Sequence, residues 1–167
     1  YDENLKALIE RDENYFKSII NIEREKENPR KDYVTYKDIY PIINFFYTDL
    51  YNQLLETVEL PFNFERFTKE QIINVLTNFK NNMGLEYDEE GWFENLKKTT
   101  TVCGFCPNVK EYKKNKEAYP GHVGDVSEMI RIAISTRKNT PNPYYVLKIL
   151  GEKEVARRID EVIKKIS

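Results

Sequence analysis

The chain has little of what most metal and redox sites require, with one histidine and two cysteines among 167 residues. A site with several histidine ligands is therefore excluded, and at most one disulfide can form. No stretch approaches the roughly 18 unbroken apolar residues of a membrane-spanning helix, so no membrane partner is expected. Glycine (6) and proline (7) are scarce while tyrosine (12) and phenylalanine (9) are abundant, which favours a packed, aromatic-rich helical body.

The first residues, Tyr1-Asp2-Glu3-Asn4, contain no basic and apolar segment of the kind that directs secretion. They also lack an initiator methionine, so we expect the chain to be cut from a longer protein. The composition, 40% apolar and 32% charged, is that of an ordinary globular chain. Its length fits one domain or two small packed subdomains.

Charge is unevenly distributed along the chain. Residues 107–167 carry 13 Lys and Arg against 8 Asp and Glu, a net charge of +5, whereas residues 1–106 carry a net charge of −7. A basic end on an acidic body permits local contact with phosphate. The alternative is a solvated helix surface without a ligand, and charge alone does not separate the two.

Apolar residues recur at spacings of three and four through most of the chain, which is typical of helices, and no segment alternates like a strand. We predict an all-α fold, a bundle or cage of about seven helices in two packed subdomains, residues 1–66 and 67–167. The predicted helices cover residues 3–25, 36–58 and 152–166, and others begin at caps at Thr68, Asp88, Asp125 and Thr140. Pro41 predicts a kink or a break near Tyr40.

Cys103-x-x-Cys106 raises the question of a metal or redox site. A structural zinc site needs four ligands, of which His122 is a candidate third. A redox motif follows a strand and opens a helix, which this sequence does not favour. We expect two partly buried thiols without a metal, and a loop or cap role for His122.

The segment RIAISTRKNTPNPYY, residues 131–145, combines features of single-stranded RNA recognition. Arg131 offers a planar donor fork for base edges, and a helix start at Thr140-Pro141 offers free N–H groups. Tyrosine rings can stack on unpaired bases. In the alternative interpretation, Arg137 and Lys138 complement the dipole of the preceding helix and Tyr144 lies in the core.

These residues lie in a longer run, GHVGDVSEMIRIAISTRKNTPNPYYVLKILGEKEVARRID (121–160), that resembles the C-terminal end of bacterial glutamyl-tRNA synthetases. That family shows an Arg-x-Ala-[Leu/Val]-Thr-Gly pattern, then Thr-Pro, then a helix ending in Leu-Gly-Lys-Glu. Residues 21–33 and 105–126 resemble the longer bacterial variant, so the resemblance covers most of the chain. The family pattern differs at Ser135-Thr136, at Asn142-Pro143 and at the two cysteines.

The resemblance implies the anticodon-binding region of a class I synthetase, a cage of helices that binds the anticodon loop of tRNA(Glu). Arg131 is expected to read the first anticodon base, and Glu128 to lie in the same pocket. Thr140, Pro141 and Tyr144 form the helix start that packs against the first and second bases. Arg30 is the candidate reader of the third base.

Surface cations would then contact phosphates, which position the RNA without specifying its sequence; they are Lys113, Lys114, Lys116, Arg137 and Lys138. The resemblance also implies a parent enzyme, a cytoplasmic glutamate–tRNA ligase that uses ATP and Mg²⁺ in an N-terminal catalytic domain. No cofactor is expected in this chain, because neither ATP-site signature of class I enzymes occurs in it. The competing hypothesis is a helical protein-interaction module, suggested by the acidic body of residues 1–106.

Overall fold

The computed structural model describes residues 3–22 and 36–167, with side chains from residue 39 onward in the second range. The predicted all-α class is confirmed, but these ranges hold ten α-helices rather than about seven. The helices are α1 (Glu3–Arg11), α2 (Glu13–Ile20), α3 (Tyr36–Ile43), α4 (Thr48–Thr57), α5 (Lys69–Asn81), α6 (Glu89–Val102), α7 (Val109–Lys114), α8 (Val123–Ser135), α9 (Pro143–Leu150) and α10 (Glu152–Ile166).

Two predicted helices are each divided in the structure. Asp12 separates α1 from α2, since its extended backbone ends the first helix and its carboxylate accepts a hydrogen bond from the backbone N–H of Tyr15. The helix predicted over residues 36–58 passes through Pro41, within α3, and breaks later, at a 3₁₀ turn over Asn44–Phe46. Pro41 is the sixth of the eight residues of α3, and the helix ends two residues after it. The break that follows buries Phe45 and Phe46.

Helix α10 spans the predicted residues 152–166 and lies at the centre of the packing. Its stripe of Val155, Ile159, Val162 and Ile166 is buried, and the helix contacts α5, α8 and α9. Gly151 joins α9 to α10 with a φ of 82°, a conformation that favours glycine. The turn lets two helices follow each other directly and brings α9 back against the core.

The structure confirms the helix caps predicted at Thr68 and Asp88 and contradicts the one predicted at Asp125. Thr68 and Gln71 form the predicted capping box, and Asp88 caps α6 by accepting a hydrogen bond from the N–H of Gly91. The cap predicted at Asp125 is wrong. His122 caps α8, accepting the N–H of Gly124 at Nδ1, while Asp125 accepts the N–H of His122.

The core is continuous across residue 66. Tyr51 of α4 donates a hydrogen bond from its hydroxyl to the carbonyl of Ala133 in α8, and Lys165 of α10 donates to the carbonyl of Leu55. The buried apolar side chains of both predicted subdomains form one cluster. The division at residue 66 therefore stays a prediction. Of the helices described, none is long and apolar enough to cross a bilayer.

Candidate nucleic-acid interface

A cavity of about 480 Å³ opens between α6, α8 and the segment that precedes α9. We call it the Arg131 cavity. Helix α8 contributes Arg131 and Ser127, and α6 contributes an acidic residue and three apolar side chains. The remaining lining comes from Thr140, Asn142 and Pro143. Arg131 and Thr140, which the sequence pattern placed in one site, therefore lie on the same cavity.

The start of α9 differs from the prediction. Asn142 rather than Thr140 is the cap, since its side-chain oxygen accepts the N–H of Tyr144 at 3.0 Å and Pro143 occupies the first helical position. The Thr140 hydroxyl instead donates to the carbonyl of Pro141 at 2.7 Å. Thr140-Pro141 and Asn142-Pro143 each consist of a residue type that can cap a helix followed by proline. The second pair lies nearer the apolar stripe of the helix.

The free N–H groups expected at this helix start are also absent. Pro143 has no N–H, and the N–H groups of Tyr144, Tyr145 and Val146 all donate to Asn142, the first to its side chain and the others to its carbonyl. A ligand in the cavity would therefore be recognised by side chains. The helix terminus itself has no donor left for it.

Glu89, in the first turn of α6, holds the segment before α9 in place. One carboxylate oxygen accepts a hydrogen bond from the side-chain amide of Asn142 at 2.7 Å, and the other accepts one from the Tyr145 hydroxyl at 3.1 Å. Because Glu89 and Arg131 both line the cavity, the lining includes an acceptor as well as a donor. Donor and acceptor groups together suit the mixed edge of a nucleobase.

Tyr144 is 8% exposed, as the core interpretation expected. Its ring packs against Trp92 at 5.9 Å between centroids, and its hydroxyl donates to the carbonyl of Tyr87. The buried Trp92 lines the Arg131 cavity, and its indole N–H has no hydrogen-bond partner in the described residues. Tyr144 supports that wall from behind and leaves little ring face for a base.

Two other predicted residues lie outside the Arg131 cavity. Pro141 is buried beside Thr140 but does not line the space. Glu128 is half-buried on α8, and the neighbouring Ser127 takes the position expected of it. Both lie beside the cavity wall rather than in it.

The predicted cations have different environments. Arg137 donates to the carbonyl of Pro41 and the side chain of Asn44, and its guanidinium carbon lies 5.1 Å from the centre of the Phe45 ring. Burial lowers the pKa of Arg137. Lys138, by contrast, is exposed, as are Lys113, Lys114 and Lys116 on and after α7. Arg30 lies outside the described residues.

A second cavity adjoins the first at the start of α6. We call it the acidic cavity, because its lining consists of the three carboxylates of Asp88, Glu89 and Glu90 together with three aromatic rings, those of Phe93, Tyr144 and Tyr145. Glu89 and Phe93 line both cavities. Tyr144 thus lines the acidic cavity and not the Arg131 cavity.

Neither Cys103 nor Cys106 lines the Arg131 cavity. The backbones of Cys106 and His122 form an isolated bridge, in which the N–H of Val123 donates to the carbonyl of Cys106. Cys103 is half-buried, and burial raises the pKa of its thiol. The described ranges contain no group of three or more His, Cys, Asp or Glu residues able to hold a metal ion.

The segment that forms most of the Arg131 cavity is similar to a known family of domains, and the whole chain is similar to several known enzymes. Residues 108–163, which include Arg131 and the whole of α8 and α9, match the family model of the anticodon binding domain. The chain is 30% identical over 165 residues to a glutamate–tRNA ligase of Clostridium beijerinckii, covering 98% of the chain and 29% of the ligase. It is 32% identical over 159 residues to that of Sorangium cellulosum, covering 95% and 27%.

The glutamate–tRNA ligase of Clostridium perfringens is 33% identical over 160 residues, covering 95% of the chain and 29% of the ligase. The resemblance to the anticodon-binding region of these ligases is confirmed. It extends across both predicted subdomains and so includes α6, which lies outside the family-model match. The chain spans under a third of the length of the glutamate–tRNA ligases it matches.

Sequence reasoning missed the α6 wall of the cavity. An acidic run such as residues 88–90 is typical of the first turn of a helix, and Asp88 is the cap of α6. Trp92 and Phe93 follow at positions where an apolar pair favours burial, yet Phe93 is 41% exposed. The sequence feature that could have indicated the α6 wall is the Asn142-Pro143 difference from the family pattern, because the Asn142 side chain donates a hydrogen bond to Glu89 of α6.

Proposed function

We propose that this chain binds the anticodon loop of tRNA(Glu) as part of a glutamate–tRNA ligase. The observation that carries the proposal is the Arg131 cavity, whose guanidinium and whose Thr140 turn both come from the segment that matches the anticodon binding domain. An arginine on the wall of an open cavity can donate to a base edge once the loop is unstacked.

The binding mode follows from the side chains that surround the cavity. Arg131 supplies the donor fork, and the Glu89 carboxylate on the same cavity accepts from exocyclic amino groups. Asn142 and Tyr145 fix that carboxylate through their hydrogen bonds, so the acceptor is already oriented before RNA arrives. Arg131 is proposed for the first anticodon base, with Thr140 on the same cavity and with Pro141 and Glu128 as neighbouring residues outside its lining.

Outside the cavity, exposed lysines are proposed to position the RNA backbone. Lys113, Lys114 and Lys116 are exposed at the end of α7, and Lys138 is exposed after α8. Such contacts contribute affinity that falls with salt but no sequence information. Arg137, proposed from the sequence as a further phosphate contact, would have to give up its hydrogen bonds to Pro41 and Asn44 to reach one. Arg30 stays the proposed reader of the third base.

The activity of the whole enzyme is a proposal of the same kind. A cytoplasmic glutamate–tRNA ligase would join glutamate to the tRNA with ATP and Mg²⁺ in its catalytic domain. Within the described ranges, no group of three His, Cys, Asp or Glu residues is placed to hold a metal ion such as Mg²⁺. No chemical step is therefore assigned to this chain, whose proposed part is to hold the anticodon loop.

The proposal is tested by titrating the chain with the tRNA(Glu) anticodon stem-loop at low and moderate salt, against a stem-loop with an altered anticodon. We expect binding that weakens with salt for both RNAs, with a preference for tRNA(Glu) that persists at moderate salt. An equal response to the two stem-loops would leave only non-specific phosphate binding. No binding at low salt would favour the helical protein-interaction module instead.

A further inference from the structure

Phe93 occupies an unusual position on the surface of α6. Its side chain is 41% exposed, and it lines both the Arg131 cavity and the acidic cavity. The described part of the chain has four other exposed large apolar side chains, and none of them lines the Arg131 cavity; they are Phe64, Tyr87, Val102 and Val109. An exposed ring is therefore placed at the boundary between two adjoining open spaces.

The Phe93 ring has a positive charge close to it, and carboxylates line the acidic cavity that it borders. The ammonium of Lys97 lies 4.8 Å from the centre of the Phe93 ring and also pairs with Glu94 at 3.0 Å. Lys97 is one helical turn from Phe93, and its ammonium lies over the ring. A base would pack on the exposed part of the Phe93 side chain, which is 41% of it. A lysine next to an exposed aromatic ring is a combination that single-stranded nucleic-acid sites use, with the ring for a base and the ammonium for a phosphate.

The cavities on either side differ in chemistry. The Arg131 cavity holds a donor fork and a carboxylate, whereas the acidic cavity holds three carboxylates and two tyrosine rings besides Phe93. Three carboxylates repel a phosphate, so a nucleotide would enter the acidic cavity with its base first and present amino groups to them. The ring of Phe93 separates these two environments.

We propose that Phe93 is a base-stacking residue that holds one unstacked nucleobase against the Arg131 cavity and divides it from the next base, which enters the acidic cavity. The inference rests on the proposed function and adds to it a specificity-determining surface on α6, outside the segment matched by the anticodon binding domain. Arg131 reads the edge of the first base while Phe93 covers its face.

The test compares substitutions that separate the loss of aromatic stacking from the loss of side-chain volume. Phe93→Ala and Phe93→Leu both remove the aromatic face, and Leu keeps apolar volume, whereas Phe93→Trp keeps a face. With the tRNA(Glu) anticodon stem-loop we expect the dissociation constant to rise between about fivefold and about a hundredfold for Ala and Leu, and to stay near the wild-type value for Trp. Phe64→Ala is the matched control, an exposed phenylalanine that lines a different cavity.

A second measurement identifies the stacked base. Each anticodon base is replaced in turn by an abasic nucleotide, and the loss caused by Phe93→Ala is measured again. At the stacked position the substitution should no longer weaken binding, because the base that stacked is already missing. At positions that Phe93 does not touch, the loss should persist.

The outcomes distinguish this inference from the proposed function. If Arg131→Ala weakens binding but Phe93→Leu binds as tightly as wild type, the stacking role is wrong and the proposed function stands. If the wild-type chain does not prefer the tRNA(Glu) stem-loop at all, both fail. A loss for Phe93→Leu that is the same with every abasic RNA would also overturn stacking, since it would reflect altered packing.

Discussion

The guanidinium carbon of Arg158 lies 4.0 Å from the centre of the Tyr51 ring, with both residues fully buried. The two side chains bind neighbouring carbonyls near the end of α8, Tyr51 that of Ala133 and Arg158 that of Ile134. The last carbonyls of a helix lack partners within it, so these bonds fix the end of α8. The segment carrying Thr140 and Asn142 begins there, which makes the pair a support for the Arg131 cavity.

Removing Arg158 should cost far more stability than removing its neighbour. Arg158→Ala leaves Glu154 and the carbonyl of Ile134 short of a buried partner, and we expect the free energy of unfolding to fall by about 3–5 kcal/mol. Arg157→Ala is the control, because Arg157 also binds Glu154 but is 36% exposed in its side chain, and it should cost under about 1 kcal/mol. Urea unfolding followed by circular dichroism measures both, and equal losses would contradict the buried role.

The same network predicts how stability depends on pH. Burial alone would raise the pKa of Glu154, but hydrogen bonds from Arg157 and Arg158 outweigh it and lower the pKa from its ordinary 4.5 to about 2. A carboxyl with a lowered pKa stabilises the fold above its unfolded value and loses that contribution as the pH falls. Stability should therefore decline between about pH 5 and pH 2.

Glu154→Gln is the variant that isolates this carboxyl. Its urea midpoint should be lower than that of wild type at neutral pH and should change less between pH 5 and pH 2. Asp49, whose pKa is lowered chiefly by its hydrogen bond with Arg11, contributes to the wild-type decline as well. Asp49→Asn should flatten the profile less, because that ion pair is exposed. Parallel profiles for wild type and Glu154→Gln would refute the assignment.

Arg131→Ala should weaken binding of the tRNA(Glu) anticodon stem-loop by roughly 1–3 kcal/mol, the scale of a bidentate contact to a base. The loss should depend on the first anticodon base, as measured by titrating stem-loops that differ there. Arg131→Lys keeps the charge but not the planar fork, so it should retain the salt dependence and lose the discrimination. An equal loss with every base at that position would mean that Arg131 contacts only the backbone.

The boundaries of the site were harder to predict than its centre. Arg131 and Thr140 meet as the spacing indicated, because α8 and the following turn are adjacent in sequence. Phe93 and Glu89 come from a helix about 40 residues earlier, and only packing of α6 on α8 brings them to the cavity. Periodicity assigns a residue to a helix face, but it does not reveal which other helix that face meets.

Local competition between caps explains the other differences. Asp12, His122 and Asn142 each begin a helix at a point where the apolar pattern alone predicts continuity or a start a few residues away. At the starts of α8 and α9 two polar residues were available, and each helix begins at the one that the apolar pattern did not favour. Asn142, for example, is held by Glu89 of α6, a contact that no local pattern contains. The apolar stripe of α10, in contrast, was sufficient to place that helix.

Asn142 should therefore be more sensitive to substitution than the predicted cap. Asn142→Ala removes the acceptor for the N–H of Tyr144 and the donor to Glu89, and we expect a loss of about 1–2 kcal/mol in the free energy of unfolding. Asn142→Asp keeps the cap but sets a second carboxylate against Glu89. Adding Glu89→Gln to Asn142→Asp should partly restore stability. Thermal unfolding of wild type, Asn142→Ala, Asn142→Asp and the double variant measures this. If the double variant is no more stable than Asn142→Asp, the contact with Glu89 is not the cause.

Thr136 ends α8 with a φ of 68°, in the left-handed region that β-branched residues rarely adopt. It stands where the resembling family has glycine, which enters this region without strain. Replacing Thr136 with glycine would relieve about 1–2 kcal/mol of backbone strain. It would also remove a buried methyl group and give the unfolded chain more conformational freedom, and we expect the relief of strain to exceed these two losses. Thr136→Gly is therefore expected to raise the free energy of unfolding by a few tenths of a kcal/mol, less than about 1 kcal/mol. Thr136→Ala keeps the strain and loses the packing, so the order of urea midpoints should be Gly above wild type above Ala, and a Gly variant below wild type would show that the buried side chain outweighs the strain.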